Sequence, residues 1–323
     1  MPSVAPLDLD GHVGHVGWLG ETAFFGDADG VLHRLGENTG ATETHDGLLC
    51  FVADPKRRRI LTGGEDGRIV ATSADGACEE LAHEKGKWIA AIASAPDGTV
   101  AYAHGKFAKV LLKNGTKTIE HERSVESMAF APKGLRLACS HYNGVSLHFP
   151  ATDSLPTVLG WQGAHLLATF SPNGDSLVTA MQEPALHGWR LADGRHMRME
   201  GYPAKVKSLS WSAKGKWLAS SGASAAIVWP FQGKDGPMGK APLELGTRGD
   251  SLVTAVACHP TEPMVAIGYR DGMILAVRFA DAQEALMRRP GQGPLTAMAW
   301  DGSGRRLAFA SEAGDCGIVD IHD

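Results

Sequence analysis

The sequence has little cysteine and nothing that pairs it. Cys50, Cys78, Cys139, Cys258 and Cys316 make an odd number, lie far apart and include no Cys-x-x-Cys. Disulfide frameworks and zinc sites usually show close thiol spacings, so these five read as core thiols of a reducing compartment. Long apolar runs are also missing: no stretch approaches 18 uncharged apolar residues, which excludes a membrane-spanning helix. The opening MPSVAPLDLDG has no basic n-region and no apolar h-region, so it is not read as a secretory signal. Basic surface is scarce. The longest block of like charge is Lys56-Arg57-Arg58-Arg59, in a chain of formal net charge −5. A nucleic-acid surface needs a broad basic patch to displace counterions, so that partner is not expected. The expectation is a soluble cytoplasmic protein, with no nucleic-acid or membrane partner.

Catalytic signatures are missing too. The chain holds no Gly-x-Ser-x-Gly, no Gly-x4-Gly-Lys-Ser/Thr and no His-Glu-x-x-His. Nucleophilic, nucleotide and metalloprotease chemistry therefore lack support, and the chain is read as no enzyme.

Glycine, at 40 residues spread along the whole chain, marks many tight turns. They belong to a self-similar unit of about 40 residues. Its clearest copy is SVESMAFAPKGLRLACSHYNGVSLHF, from Ser124. Val125, Met128 and Phe130 sit on an alternating strand, Pro132-Lys133-Gly134 makes a turn, 135–140 is a second strand, Asn143-Gly144 a hairpin turn, and 145–149 a third strand. The first turn recurs at Pro55, Pro96, Pro132, Pro172, Ala213, Pro260 and Gly302, in steps of 36 to 47 residues. An eighth copy, HVGHVGWLGETAFFGDADGVLHRL, lies near the start. A fourth, more polar strand fits after each third one, for example at 78–83, 117–121, 156–161, 195–200 and 242–246. Four antiparallel strands per unit of this length are the blade of a β-propeller. The last unit stops after its third strand, whereas residues 5–11 resemble the fourth strand at 241–246. The expected architecture is all-β: one propeller domain over 1–323, eight blades of four strands, the N-terminal strand completing the C-terminal blade. Val4, Leu7 and Leu9 should be buried or half-buried there. Seven blades is the alternative, if the first unit is a decoration.

The Pro-x-Gly turns, and those at Asp29-Gly30, Asp66-Gly67, Asn143-Gly144 and Asp271-Gly272, make the chain resemble the WD-repeat family over nearly its whole length. The family's third-strand Trp survives as Trp189 and Trp229, followed by Arg190 and Pro230 in place of Asp. Gly-His survives at Gly11-His12 and Gly14-His15, with His45, His83 and His121 near the same place in units two to four. The resemblance implies a scaffold or recognition module, and puts the family's hydrogen-bonded tetrad of His, Ser/Thr, Asp and Trp in doubt for most blades.

No metal and no cofactor are assigned. The His45, His83 and His121 trio is read as structural because repeat spacing separates equivalent loops. Cys50, Cys139 and Cys258 are read as core, and Trp211, Trp300, Phe130 and Phe170 as packing between blades. The loops before first strands and the turns before third strands gather Trp88, Arg123, Tyr142, Trp161, Tyr202, Arg248 and Arg270. Such residues dominate binding hot spots, so this face is the expected surface for a protein partner. The alternative is a small-molecule or metal sensor using the central channel.

Overall fold

The computed structural model describes residues 2–54, 56–233 and 235–321. Among them there is no helix, and every regular element is a strand in an antiparallel sheet. Pro55, expected in a first turn, lies outside the described residues.

The units fold as their turn chemistry dictates. Gly98, Gly134, Gly174, Gly215 and Gly304 all take positive φ in the first turns, and Asn143 takes φ 70° in the hairpin turn. Gly67 shows why no other residue serves there: it has φ 80°, and a Cβ would stand 2.2 Å from the Glu84 carbonyl oxygen. Burial then follows position in the sheet. Second strands such as Thr22–Asp27 and Ser176–Met181 are buried throughout, because a neighbouring strand flanks each side and packed faces lie above and below. Outer strands such as Gly40–Glu43 and Cys78–His83 are largely exposed.

Six sheets have four strands and one has six, so the sheets number seven. This corrects the expected eight and agrees with the alternative count, for a different reason. The first unit is no decoration: Val13–Leu19, Thr22–Asp27, Val31–Leu35 and Gly40–Glu43 form a full sheet. Units four and five instead share one sheet, through the long strands Leu137–His148 and Thr157–Phe170. Leu137–Ser140 pairs with Ser127–Phe130, and Val145–Leu147 pairs with Thr157–Leu159 beyond the Asn143-Gly144 bend. Tyr142 also pairs with Ala164, so the connection between the two units stays in the ladder and the sheet runs on.

The final sheet orders Ser3–Asp8, Asp315–Asp320, Arg306–Ser311 and Leu295–Trp300. Ser3–Asp8 runs antiparallel to Asp315–Asp320, with Leu7 opposite Cys316. The N-terminal strand thus completes the C-terminal sheet. Leu7 and Leu9 are half-buried against a core that includes Val13, Phe25 and Ile318. Val4 is 40% exposed, a correction: it faces outward from an edge strand.

The chain divides into two compact units. One comprises the residues up to Ala28, His33–Thr39 and those from Met199 onward; the other comprises Asp29–Leu32 and Gly40–Arg198. In the first, aromatic N–H groups stitch neighbouring first strands: Trp18 Nε1 donates to the Ala299 carbonyl at 2.8 Å and Trp300 Nε1 to that of Ala257 at 3.0 Å. Trp300 therefore packs between sheets as expected, and Phe170, in the second unit, is buried. Phe130 and Trp211 are half-buried.

Candidate functional site

In the unit built from 29–32 and 40–198, Trp88 stands in the loop before a first strand, 64% exposed. It borders a cleft of about 450 Å³ lined also by Lys87, His104, Lys106, Phe107 and Glu126. Lys106 pairs with Glu120 at 2.6 Å and lies over the Phe107 ring. Arg123 is exposed nearby in sequence, and Tyr142 is 50% exposed at the Asn143-Gly144 bend. Trp161 is different. Its ring stacks on His187 at 4.0 Å, Arg198 lies over it, and it packs on the buried cluster around Trp189.

In the unit from Met199 onward, Arg270 is exposed. Arg248 is partly buried, donating to Asp271 at 2.7 Å above the Tyr269 ring. Tyr202 is only 7% exposed. Trp229 Nε1 donates to its hydroxyl at 2.6 Å, that hydroxyl meets Ser220 Oγ at 2.6 Å, and Ser220 donates to the Ile227 carbonyl at 2.9 Å. Every polar group of that chain is satisfied, which is why a tyrosine survives in an apolar interior.

Equivalent positions carry other versions of the same interior network. His45 is buried, with Nδ1 3.0 Å from Asp66 Oδ1 and Nε2 2.8 Å from Thr62 Oγ1. Burial lowers the His45 pKa, and Asp66 offsets part of that. Burial acts to raise the Asp66 carboxyl, but donors from Arg68 and His45 outweigh it and hold it below the usual range. Glu84 takes the bond from Tyr102 at 2.8 Å and from Lys109 at 2.6 Å. Glu84 thus stands where the sequence trio placed His83, which is exposed at the end of an outer strand. His165 lies 2.7 Å from Thr179 Oγ1 and 3.0 Å from the Trp161 carbonyl. His121 faces His148, Nε2 to Nε2, at 3.0 Å, and Cys139 completes a buried trio whose nitrogen and sulfur atoms lie within 4.8 Å of one another. Sequence reading missed this trio because its members lie 18 and 9 residues apart within one unit, not at the short spacing of a metal motif.

Burial disfavours the thiolate form of the other three buried cysteines. Burial pushes Cys50 and Cys258 up to about 12 and Cys316 to about 11. Of the basic run, Arg59 is tied to the buried Asp54 at 2.9 Å, whereas Lys56 and Arg57 are exposed.

Comparison with known proteins agrees with this geometry. The family model described as WD domain, G-beta repeat, matches residues 195–229, the segment that holds Tyr202, Ser220 and Trp229. A search of curated protein sequences finds no match. Among solved structures, the chain is similar to the computationally designed Ika8 protein at 18% identity and TM-score 0.76, over 97% of this chain and 98% of that one. It is also similar to a chain of the mitotic checkpoint complex at 14% identity and TM-score 0.65, over 82% of this chain and 88% of that one. Likeness at such identities is a likeness of fold. One segment thus matches the family's repeat, and nearly the whole length of the chain carries a β-propeller fold of four-stranded antiparallel sheets.

Proposed function

We propose that the chain is a non-catalytic recognition module that holds protein partners through loops on one face of the propeller, with residues 1–323 working as one domain. WD-repeat propellers generally mediate protein–protein interaction, and the mitotic checkpoint complex is an assembly that contains a chain of this fold. The observation that carries the reading is Trp88. A tryptophan that stays 64% exposed beside an open cleft, with Lys87 and Lys106 at its rim, is the side chain most often found to anchor a partner. Arg123 and Tyr142 extend the surface in the same unit, and Arg270 is its counterpart in the other. Tyr202 is buried and Trp161 and Arg248 are partly buried by their own neighbours, so none of the three is offered as a contact residue. The five free cysteines, four of them buried, favour a reducing compartment such as the cytoplasm.

The test is a pull-down from the native host with quantitative mass spectrometry, comparing the wild-type chain with Trp88→Ala and Tyr142→Ala. A Lys56→Ala/Arg57→Ala variant serves as control. A true anchor costs ~2 kcal/mol or more, about thirtyfold in affinity, so its partners should vanish from the first two baits and persist on the control. Partners retained by both aromatic variants and lost from the control would put the binding surface elsewhere.

A further inference from the structure

We propose that His121, Cys139 and His148 form a binding site for a thiophilic transition-metal ion of the zinc type. These residues stand 18 and 27 positions apart, counted from His121, and so do Ser220 and Trp229 from Tyr202. In the second set a hydroxyl, a hydroxyl and an indole form a closed hydrogen-bond chain inside a sheet. The first set keeps the backbone positions and changes the chemistry. An imidazole replaces the phenol, a thiol replaces the serine hydroxyl and a second imidazole replaces the indole. Three hydrogen-bonding groups have become three ligand atoms.

The local geometry fits that change. All three residues are buried, and the two Nε2 atoms face each other at 3.0 Å. With metal–nitrogen bonds of about 2.0–2.1 Å, a tetrahedral ion holds its nitrogens roughly 3.3 Å apart, so the imidazoles need to part by only a few tenths of an ångström. Without an ion, one imidazole must donate to the other, and whichever tautomer results, the buried Nδ1 of His121 has no partner. The Cys139 thiol likewise has no hydrogen bond among the described residues. The set contains no carboxylate, which disfavours calcium and magnesium, while two imidazoles and a thiolate suit zinc. Three protein donors leave a fourth position for water or a small anion. His141, whose ring lies 6.0 Å from that of His121, is held off by Ser146 at 2.9 Å. On binding, the Cys139 S–H bond breaks, a sulfur–metal bond forms from its electron pair, and one proton passes to solvent.

The experiment uses the full chain, stripped with chelator and titrated with Zn²⁺ by calorimetry and with Co²⁺ by absorbance. The expected result is one ion per chain, about one proton released, and a thiolate-to-cobalt charge-transfer band. Cys139→Ser should abolish the band and weaken Zn²⁺ binding by roughly a hundredfold or more, at or above the ~10–100-fold loss seen when only outer-shell partners are removed. Cys78→Ser, which changes the exposed thiol, should change neither. The double variant Cys139→Ser/His148→Trp rebuilds the residue types found with Tyr202; it should fold and bind no ion, which separates loss of ligands from loss of structure. A folded wild-type chain that takes up no ion, or a cobalt band that survives Cys139→Ser and disappears in Cys78→Ser, overturns the proposal.

Discussion

Tyr202 shows how a side chain chosen for its exposed chemistry ends as an interior one. Its aromatic type and its place before a first strand suggest a contact residue, but its hydroxyl is the midpoint of a chain from Trp229 to Ser220. Removing that hydroxyl leaves the Trp229 N–H buried without an acceptor. Tyr202→Phe should therefore cost about 1–3 kcal/mol, the usual penalty for a stranded buried donor, and leave partner binding through Trp88 intact. Urea denaturation measures it directly, and a loss below about half a kilocalorie, the scale of a surface substitution, would mean that the network does not hold this position.

At the scale of the element, the strand Ser3–Asp8 carries the clearest consequence. It contributes the half-buried Leu7, with the half-buried Leu9 just past its end, and the whole ladder along one side of Asp315–Asp320. Full burial of a leucine is worth about 1.5–3 kcal/mol, so two at partial burial, with the lost ladder, put deletion of residues 2–10 at roughly 2–5 kcal/mol. Asp315–Asp320 would become an unprotected edge, so the truncated chain should also self-associate. Chemical denaturation and light scattering check the two effects separately, and a truncated chain equal to wild type in both would remove this strand from any stabilising role. Val4→Ser, on the exposed side, should stay within about 0.5 kcal/mol of wild type.

Across the whole molecule, several histidines are held neutral by their surroundings. Burial, with His196, His165 and Arg198 adding to it, lowers His187 to about 3, and burial with His12 beside it lowers His15 to about 4. The unfolded chain binds these protons more readily, with an ordinary value of about 6.5, so stability is full above that pH and falls as pH drops towards 4. The melting temperature should therefore decline steadily between pH 7 and pH 4.5, and His187→Phe should make that decline shallower. A profile flat over that range would mean that these rings are solvated. Much of the architecture was legible beforehand, because turn glycines and apolar alternation are local signals: the four-stranded unit, its outer polar strand and the joining of the two ends all follow from them. The shared sheet was not, since only the pairing of Tyr142 with Ala164 keeps the connector between units in a ladder. The interior networks were hidden for a related reason. Repeats place Tyr202, His121 and Glu84 alike, and only the assembled sheet shows which polar atoms each one meets. The joining of the ends also fixes an order of events during synthesis. Leu7 leaves the ribosome some three hundred residues ahead of Cys316, its partner, a wait of very roughly 15–60 s at 5–20 residues per second. Throughout that time the first strand has nothing to pair with, so the nascent chain must carry an exposed strand and an unfinished core, and the final sheet can form only once Asp315–Asp320 has emerged.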